Sequence, residues 1–182
     1  MKYIPKSILA ILFCTGIFSS CAEKQDFDQL DDLDITPTAE ASILYVETPE
    51  DLINQDPGTY FYSQTFNFDA FNEEFVADNI LDGVITYELE NTTSKPLDIT
   101  FEFLDEAGNT LDSENFMLNA APTAILTREI AYGPAGRSLD IIRNTSAIRV
   151  STTNLGDNTS VSSLPNPTVF LRSSAKFRIL LQ

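Results

Sequence analysis

The feature that most constrains the fold is a stretch of strict alternation at residues 83–105, GVITYELENTTSKPLDITFEFLD. Its apolar side chains take odd positions on both sides of a polar, Pro-containing segment, and Thr, Asp and Glu take even ones. The odd apolar positions are Ile85, Tyr87, Leu89, Leu97, Ile99, Phe101 and Phe103. A period of two is typical of strands with one buried face. The stretch therefore predicts an antiparallel hairpin with one apolar wall and one acidic wall.

Shorter runs of β-forming residues, separated by turn residues, continue along the chain. They predict further strands at 42–47, 59–68, 110–118, 123–132, 146–153 and 169–181. Residues 69–81 fit a short helix or an irregular crossing, and 138–143 fit one helical turn. Because two strands alone are marginal in water, the apolar wall needs a second sheet to cover it. The predicted fold is all-β, an antiparallel two-sheet immunoglobulin-like sandwich with at most one or two short helical turns.

Charge is divided unevenly along the chain. Residues 22–116 hold 24 acidic and 2 basic residues, whereas residues 117–182 hold 3 acidic and 7 basic ones. Opposite charges directly across a β-ladder contribute about 0.2–1 kcal/mol each, so we expect Arg172, Lys176 and Arg178 of the last strand to face solvent near carboxylates. The alternative is an acidic docking surface for a cationic partner or divalent ions. With a net charge of −16, we expect no nucleic-acid partner, because phosphates would be repelled.

The N-terminus has the pattern of a secretion signal. Lys2 and Lys6 precede an apolar run of 11 residues at 8–18, which is shorter than the roughly 20 residues that span a bilayer as a helix. The run ends in Phe18-Ser19-Ser20-Cys21, which resembles the bacterial lipobox. The resemblance implies that residues 1–20 are removed and that Cys21 is lipidated. The alternative is an ordinary secreted protein in which Cys21 has no role.

The resemblance extends past the lipobox. Residues 22–40, AEKQDFDQLDDLDITPTAE, are dense in carboxylates without an apolar period, which predicts that 21–40 are the lipidated Cys and an acidic flexible tether. Their start resembles the export signal of surface lipoproteins of the Bacteroidota. With a β-rich body at 41–182, the chain resembles flavobacterial lipoproteins of that phylum. This implies an outer-membrane protein, lipid-anchored through Cys21, on the cell surface or the periplasmic face.

The composition removes most catalytic chemistries. The chain has no histidine, which excludes Ser-His-Asp machinery and His-ligated metal sites. The resemblance implies that Cys14 leaves with the signal and that Cys21 carries the lipid, which leaves neither thiolate chemistry nor an intramolecular disulfide. A carboxylate pair of the glycosidase kind stays possible, but the chain has no Trp for sugar stacking. We therefore predict that the protein is not an enzyme, and we assign no catalytic, cofactor-binding or metal-ligating residue.

Two further features are weaker candidates for a binding site. Hard oxygen ligands for Ca²⁺ cluster in the tether at Asp26, Asp28, Asp31, Asp32 and Asp34, but the segment lacks the Gly of an EF-hand loop, which favours weak cation association. The aromatic set of the second strand fits core packing better than a ligand groove. It comprises Tyr60, Phe61, Tyr62, Phe66 and Phe68.

Together these features predict a non-catalytic, membrane-anchored cell-envelope module that binds or scaffolds an envelope protein or glycan. The alternative hypothesis is a calcium-dependent carbohydrate binder or a carboxylate-dependent hydrolase at the cell surface. A structure discriminates between them through the presence or absence of converging buried carboxylates in a cleft.

Overall fold

The computed structural model describes residues 34–55, 60–68 and 74–181, so the signal, Cys21 and the tether carboxylates at 26–32 lie outside the described residues. The described part contains eight strands and three six-residue helices. The strands are β1 (Thr38–Pro49), β2 (Tyr60–Asn67), β3 (Ile80–Asn91), β4 (Leu97–Leu104), β5 (Thr110–Leu118), β6 (Leu126–Tyr132), β7 (Ala147–Asn154) and β8 (Thr168–Ile179). The helices are α1 (Glu50–Gln55), α2 (Glu74–Asn79) and α3 (Leu139–Asn144).

The strands form two four-stranded antiparallel sheets, in the orders β1-β8-β3-β6 and β2-β7-β4-β5. The predicted all-β two-sheet antiparallel sandwich with only short helical turns is confirmed, although the described residues contain three short helices rather than one or two. The strand order is that of an eight-stranded jelly roll, not the ABED and CFG sheets of an immunoglobulin domain. Alternation in the sequence reveals strands, but their order depends on long-range pairing that a local pattern does not encode.

The predicted hairpin at 83–105 is wrong as a pairing, although both of its strands exist. β3 pairs with β6 and β8, whereas β4 pairs with β5 and β7 in the opposite sheet. Residues 92–96, which we call the arch, cross between the sheets. Asn91 holds the arch by donating from Nδ2 to the carbonyl oxygens of Lys95 (2.7 Å) and Asn119 (2.8 Å). Alternation shows which side chains are buried, but not whether two apolar walls lie side by side or face each other.

The two walls do face each other and form the core between the sheets. Tyr87 of β3 packs against Phe101 of β4 and Phe116 of β5, with ring centroids 4.9 and 5.3 Å away. The predicted core role of the β2 aromatics is confirmed where they are described: Phe68 belongs to the core, and three others pack against it. These three are Phe61, Tyr62 and Phe66.

Opposite charges meet across the outer faces of the ladders, as the charge distribution predicted. Arg172 and Arg178 of β8 form ion pairs with Glu88 and Asp82, their register partners on β3. Arg149 of β7 likewise pairs with Glu102 of β4. Lys176 is exposed, opposite Glu40 and Val84 in register. Exposed pairs of this kind contribute about 0–1 kcal/mol each. They therefore favour the pairing of oppositely charged strands more than they stabilise the fold.

The sandwich has two distinct ends. At the base, Ile35 bridges to Leu181, and α2 leads into β3. At the opposite end, which we call the tip, lie the segments 49–55, 91–97, 119–125 and 154–168. β1 has 12 residues, so at about 3.3 Å per residue base and tip are about 40 Å apart. The chain therefore enters the sandwich at the base and reaches the tip only after the whole of β1.

Candidate functional site

The tip carries a long loop without regular secondary structure. It joins β7 to β8 through 13 residues, 155–167. Loops of this length are uncommon in compact domains and usually have a function of their own. Its first residue is fixed by a hydrogen bond from the Leu155 amide to the Pro96 carbonyl oxygen (2.9 Å). The loop is therefore attached directly to the arch.

A buried lysine fastens the middle of this loop. Lys95 has a side-chain exposure of 0%. Its Nζ donates to the carbonyl oxygen of Ser160 (2.8 Å), to Ser160 Oγ (2.6 Å) and to Asp157 Oδ1 (3.3 Å). Three acceptors match the three N–H bonds of an ammonium group, so the buried cation is fully satisfied. Its ammonium group thus connects the arch to the centre of the loop.

A buried carboxylate fastens the other side of the loop. Glu50, the first residue of α1, is only 2% exposed. One of its oxygens accepts from the Ser94 amide (2.6 Å) and the Ser94 hydroxyl (2.5 Å), and the other accepts from the Ser162 amide (2.8 Å). Ser94 Oγ in turn lies 3.0 Å from Ser160 Oγ. We call Glu50, Ser94, Lys95, Asp157 and Ser160 the arch cluster.

Asp157 shapes the loop from within. Its Oδ1 accepts from the amides of Thr159 (2.7 Å) and Ser160 (2.6 Å) in addition to Lys95. These hydrogen bonds hold the pKa of Asp157 well below its usual range. Burial alone would raise the pKa of Glu50, but hydrogen bonds from Ser94 and Ser162 and the charge of Lys95 lower it below its ordinary value. Both groups are therefore ionised at neutral pH.

The Ser160 hydroxyl beside a buried lysine invites comparison with Ser-Lys hydrolases, in which a neutral amine removes the proton of the serine. Here Lys95 uses all three N–H bonds on acceptors, one of them a carboxylate. Such an ammonium group has no lone pair with which to accept a proton. The geometry supports a loop held in one conformation rather than an activated nucleophile.

This framework presents apolar side chains to solvent. Val161 is 71% exposed, and four other large apolar residues of the tip are also exposed: Leu52, Ile125, Leu155 and Leu164. Between α1 and the loop lies a groove of about 400 Å³. Its walls include Pro49, Asp51 and Asn54 on one side and Val161 and Pro167 on the other. Exposed apolar side chains on a rigid polar framework are typical of interaction sites.

A second cluster of charges, in which Glu114 is buried and the two arginines are partly exposed, lies far from this loop, at the edge where β5 of one sheet meets β6 of the other. Arg137 forms ion pairs with Asp112 and Glu114, whose side chain is 6% exposed. Arg128 Nη1 donates to Glu114 Oε2 (3.0 Å), and its guanidinium carbon lies 4.2 Å from the ring centroid of Phe116. We call Asp112, Glu114, Arg128 and Arg137 the edge cluster. It joins the two sheets.

Most of the site residues predicted from the sequence lie outside the part of the chain that the structure describes. Cys21, Asp26, Asp28, Asp31 and Asp32 lie outside the described residues, so lipidation and cation binding stay predictions. Asp34 is described and exposed. Within the described ranges, no three acidic or cysteine side chains converge as a metal site would require. None of the helices described at 50–55, 74–79 and 139–144 is long and apolar enough to cross a membrane.

Sequence reasoning missed the arch cluster, although a signal for it existed. The predicted hairpin makes the polar segment between its two strands an ordinary turn. Yet Asn91, Thr93 and Lys95 share the odd parity of the apolar residues on either side, and all three are buried. Alternation that continues without interruption through a polar segment indicates a buried crossing between sheets, with its polar groups satisfied by other loops.

Comparisons with known proteins bear only on the fold. No protein-family model matches the chain, and no curated protein matches it. A Bacillus endospore appendage protein, which forms disulfide-linked pili, is similar with a TM-score of 0.35 and 11% identity over 88% of this chain and 96% of that one. A protein of infectious bursal virus T=1 particles is similar with a TM-score of 0.38 and 12% identity over 79% of this chain and 32% of that one. A chain of Desmodium yellow mottle tymovirus is similar with a TM-score of 0.35 and 7% identity over 82% of this chain and 83% of that one.

These values describe a distant likeness. The bursal virus chain is about three times as long as the part that this chain matches. The chain is a β-sandwich of two four-stranded antiparallel sheets, distantly like these capsid and appendage folds.

Proposed function

We propose that the protein is a non-catalytic cell-envelope module, anchored by lipid at Cys21 in the outer membrane, that binds another envelope component through its tip. The observation that carries the proposal is the loop at 155–167, which is held by two buried charged side chains and presents exposed apolar ones. A surface that is already ordered loses less conformational entropy on binding than a flexible loop. Ordering exposed apolar side chains has a clear use in recognition.

The direction of the chain supports the same proposal. Cys21 precedes the base of the sandwich in sequence, and the tip lies about 40 Å beyond the base, at the far end of β1. A module attached to a membrane through its base would keep its tip available to partners. An envelope protein fits the exposed leucines and valine better than a glycan does, since the tip segments contain no aromatic residue on which a sugar would stack.

The anchor is tested by metabolic labelling with radioactive palmitate. We expect the wild-type chain to be labelled and to fractionate with the outer membrane, and Cys21→Ser to lose the label. A wild-type chain that never carries label would remove the anchor from the proposal.

The binding surface is tested by a photo-crosslinking amino acid placed at Val161 or Leu155 of the full chain in living cells. We expect an adduct of discrete mass from both tip positions. The matched control is the same probe at Phe75, an exposed apolar residue of α2 at the base. No discrete adduct from the tip, or the same adduct from Phe75, would contradict binding through the tip.

A further inference from the structure

The charges of the tip indicate what kind of partner the groove accepts. The tip segments contain one basic residue, Lys95, and its side chain is fully buried. Their three carboxylates are those of Glu50, Asp51 and Asp157, of which Asp51 and Asp157 are exposed. The solvent side of the tip therefore offers negative charge beside apolar surface, with no exposed positive charge in those segments.

The groove between α1 and the loop combines these two properties within one site. Asp51 stands on one wall and Val161 on the other, with Pro49 and Pro167 supplying further apolar surface. Glu50, which also lines the groove, has its carboxylate occupied by Ser94 and Ser162. Asp51 is thus the carboxylate left to meet a ligand in the groove, and Val161 is the apolar contact opposite it.

We infer that this groove binds a basic, apolar protein segment, in which a lysine or arginine lies beside a medium-sized apolar side chain. The inference rests on the proposed function and names the chemistry of its partner. The cation would lie at Asp51, and the apolar side chain would pack against Val161 and the prolines. Complementary charge of this kind steers encounter and selects partners, while the apolar contact supplies most of the affinity.

The chain itself does not provide such a segment. Its acidic tether would be repelled by Asp51 and Asp157. A second copy is disfavoured as well. Of its described lysines, Lys95 is buried and Lys176 lies in β8, a strand paired on both sides, and each of the six described arginines already forms an ion pair with a carboxylate of its own chain. These are Arg128, Arg137, Arg143, Arg149, Arg172 and Arg178. The basic segment must therefore come from a different protein.

The test measures the binding of fluorescent peptides to the full chain in a non-ionic detergent by anisotropy. The probes are a short peptide that alternates leucine and lysine, its glutamate counterpart, and a serine-lysine counterpart. We expect saturable binding of the leucine-lysine peptide only. Binding should weaken several-fold between about 0.05 and about 0.3 M salt, since the charges are exposed. Because every variant is measured in the same detergent, the contribution of micelles cancels.

Variants locate the site. We expect Val161→Ser to weaken binding of the leucine-lysine peptide by about tenfold through lost apolar contact, and Asp51→Asn by about threefold at low salt. Neither side chain supports the fold, since both are exposed. The controls are Phe75→Ser and Asp78→Asn on α2, an exposed apolar and an exposed acidic residue at the base, and neither should change binding.

Three outcomes would overturn the inference: equal binding of the glutamate peptide, equal affinity of wild type and Val161→Ser, or equal losses in the α2 controls. This failure is distinguishable from failure of the proposed function. If Val161 gives a discrete crosslink in cells but the leucine-lysine peptide does not bind in vitro, the tip is still the binding surface, and the inference that its partner is basic is wrong. If the peptide binds in vitro but no crosslink forms in cells, the groove has the inferred chemistry, and the proposed binding through the tip in the cell is contradicted.

Discussion

The arch cluster and the edge cluster both place charged side chains inside a β-sandwich, yet they connect different parts of it. In the arch cluster, Lys95 and Glu50 reach mainly backbone and hydroxyl groups of loops. In the edge cluster, two arginines meet two carboxylates across the seam between the sheets. The first arrangement fixes the shape of a surface, and the second fixes how the sheets close.

The difference extends to how completely each region satisfies its polar groups. The ammonium group of Lys95 has three acceptors, and the carboxylate of Glu50 has three donors. Beside the edge cluster, by contrast, the buried hydroxyl of Tyr87 has no hydrogen-bond partner among the described residues. Burial raises the pKa of Tyr87, and the nearby hydroxyl of Tyr132 and carboxylate of Glu114 raise it further. At the tip, Asn54 Oδ1 is likewise buried without a partner among the described residues, so the more complete hydrogen bonding belongs to the charged groups of the arch cluster and not to the whole tip.

If the edge cluster closes the sandwich, its removal should have the largest effect on stability. Arg137→Ala leaves Glu114 buried with only Arg128 for its charge, and we expect the free energy of unfolding to fall by about 3 kcal/mol. The matched control is Arg172→Ala, which breaks an exposed pair with Glu88 and should cost at most about 1 kcal/mol. Urea denaturation measures both. Equal losses in the two variants would show that the edge cluster has no special role.

If the arch cluster shapes the loop, its removal should act locally. Lys95→Met keeps the buried volume but removes the Lys95 donor from the Ser160 carbonyl and hydroxyl oxygens and the positive charge beside Asp157, while Asn54 Nδ2 still donates to that carbonyl (3.2 Å). We expect a loss of about 1–3 kcal/mol. Hydrogen exchange should quicken at the Thr159 and Ser160 amides more than in the core strands. Lys176→Met, on the exposed face of β8, is the control and should change neither. Uniform loss of protection across the sandwich would mean that Lys95 supports the whole fold instead.

The lowered pKa of Glu50 gives the arch cluster a pH dependence. A carboxylate whose pKa is lower in the folded state stabilises the fold at pH values above its unfolded pKa, about 4.3 for Glu. That contribution is lost as the pH falls through the folded value. We therefore expect Glu50→Gln to be less stable than wild type at pH 7, with the difference shrinking below about pH 4.

The measurement is the free energy of unfolding in urea at a series of pH values, for wild type and Glu50→Gln. The control, Glu106→Gln in the exposed β4–β5 turn, should follow wild type at every pH. A difference between wild type and Glu50→Gln that grows on acidification would have the wrong sign and would contradict a stabilising carboxylate.

The sequence predicted the parts of the fold that depend on local alternation. β5 was predicted with the bounds observed, 110–118. Within β7, Ile148 and Val150 are buried while Arg149 lies on the other face, as alternation along a strand requires. The pairing of β3 with β8 rather than β4 was not predictable in the same way. Both partners present alternating faces of suitable charge and apolarity, and choosing between them requires knowing where the arch crosses the core.

The arch cluster was harder to foresee because it is made from three separate segments. Glu50 and Ser94 are 44 residues apart, and Lys95 and Asp157 are 62 apart. Each looks like an ordinary polar residue of a turn, and only the sandwich topology brings them together. Arg128 is similar: it interrupts the apolar row of β6, and the reason is its contact with Phe116 and Glu114 across the seam. Interruptions of a pattern mark sites whose partners are distant in sequence.

The smallest expected effect tests whether buried polar groups near the edge cluster lack hydrogen bonds, in contrast to those of the arch cluster. Tyr87→Phe removes a buried hydroxyl that has no partner among the described residues, while the ring keeps its contacts with Phe101 and Phe116. Deleting an unsatisfied polar group removes its desolvation cost, so we expect stability to stay within about 1 kcal/mol of wild type or to increase slightly. Thr152→Val, at a buried polar position of β7, provides a comparison of similar burial. A loss above about 1 kcal/mol in Tyr87→Phe would mean that the hydroxyl is hydrogen-bonded, for instance to a buried water. The seam would then be as completely satisfied as the arch, because its polar groups would be paired through solvent.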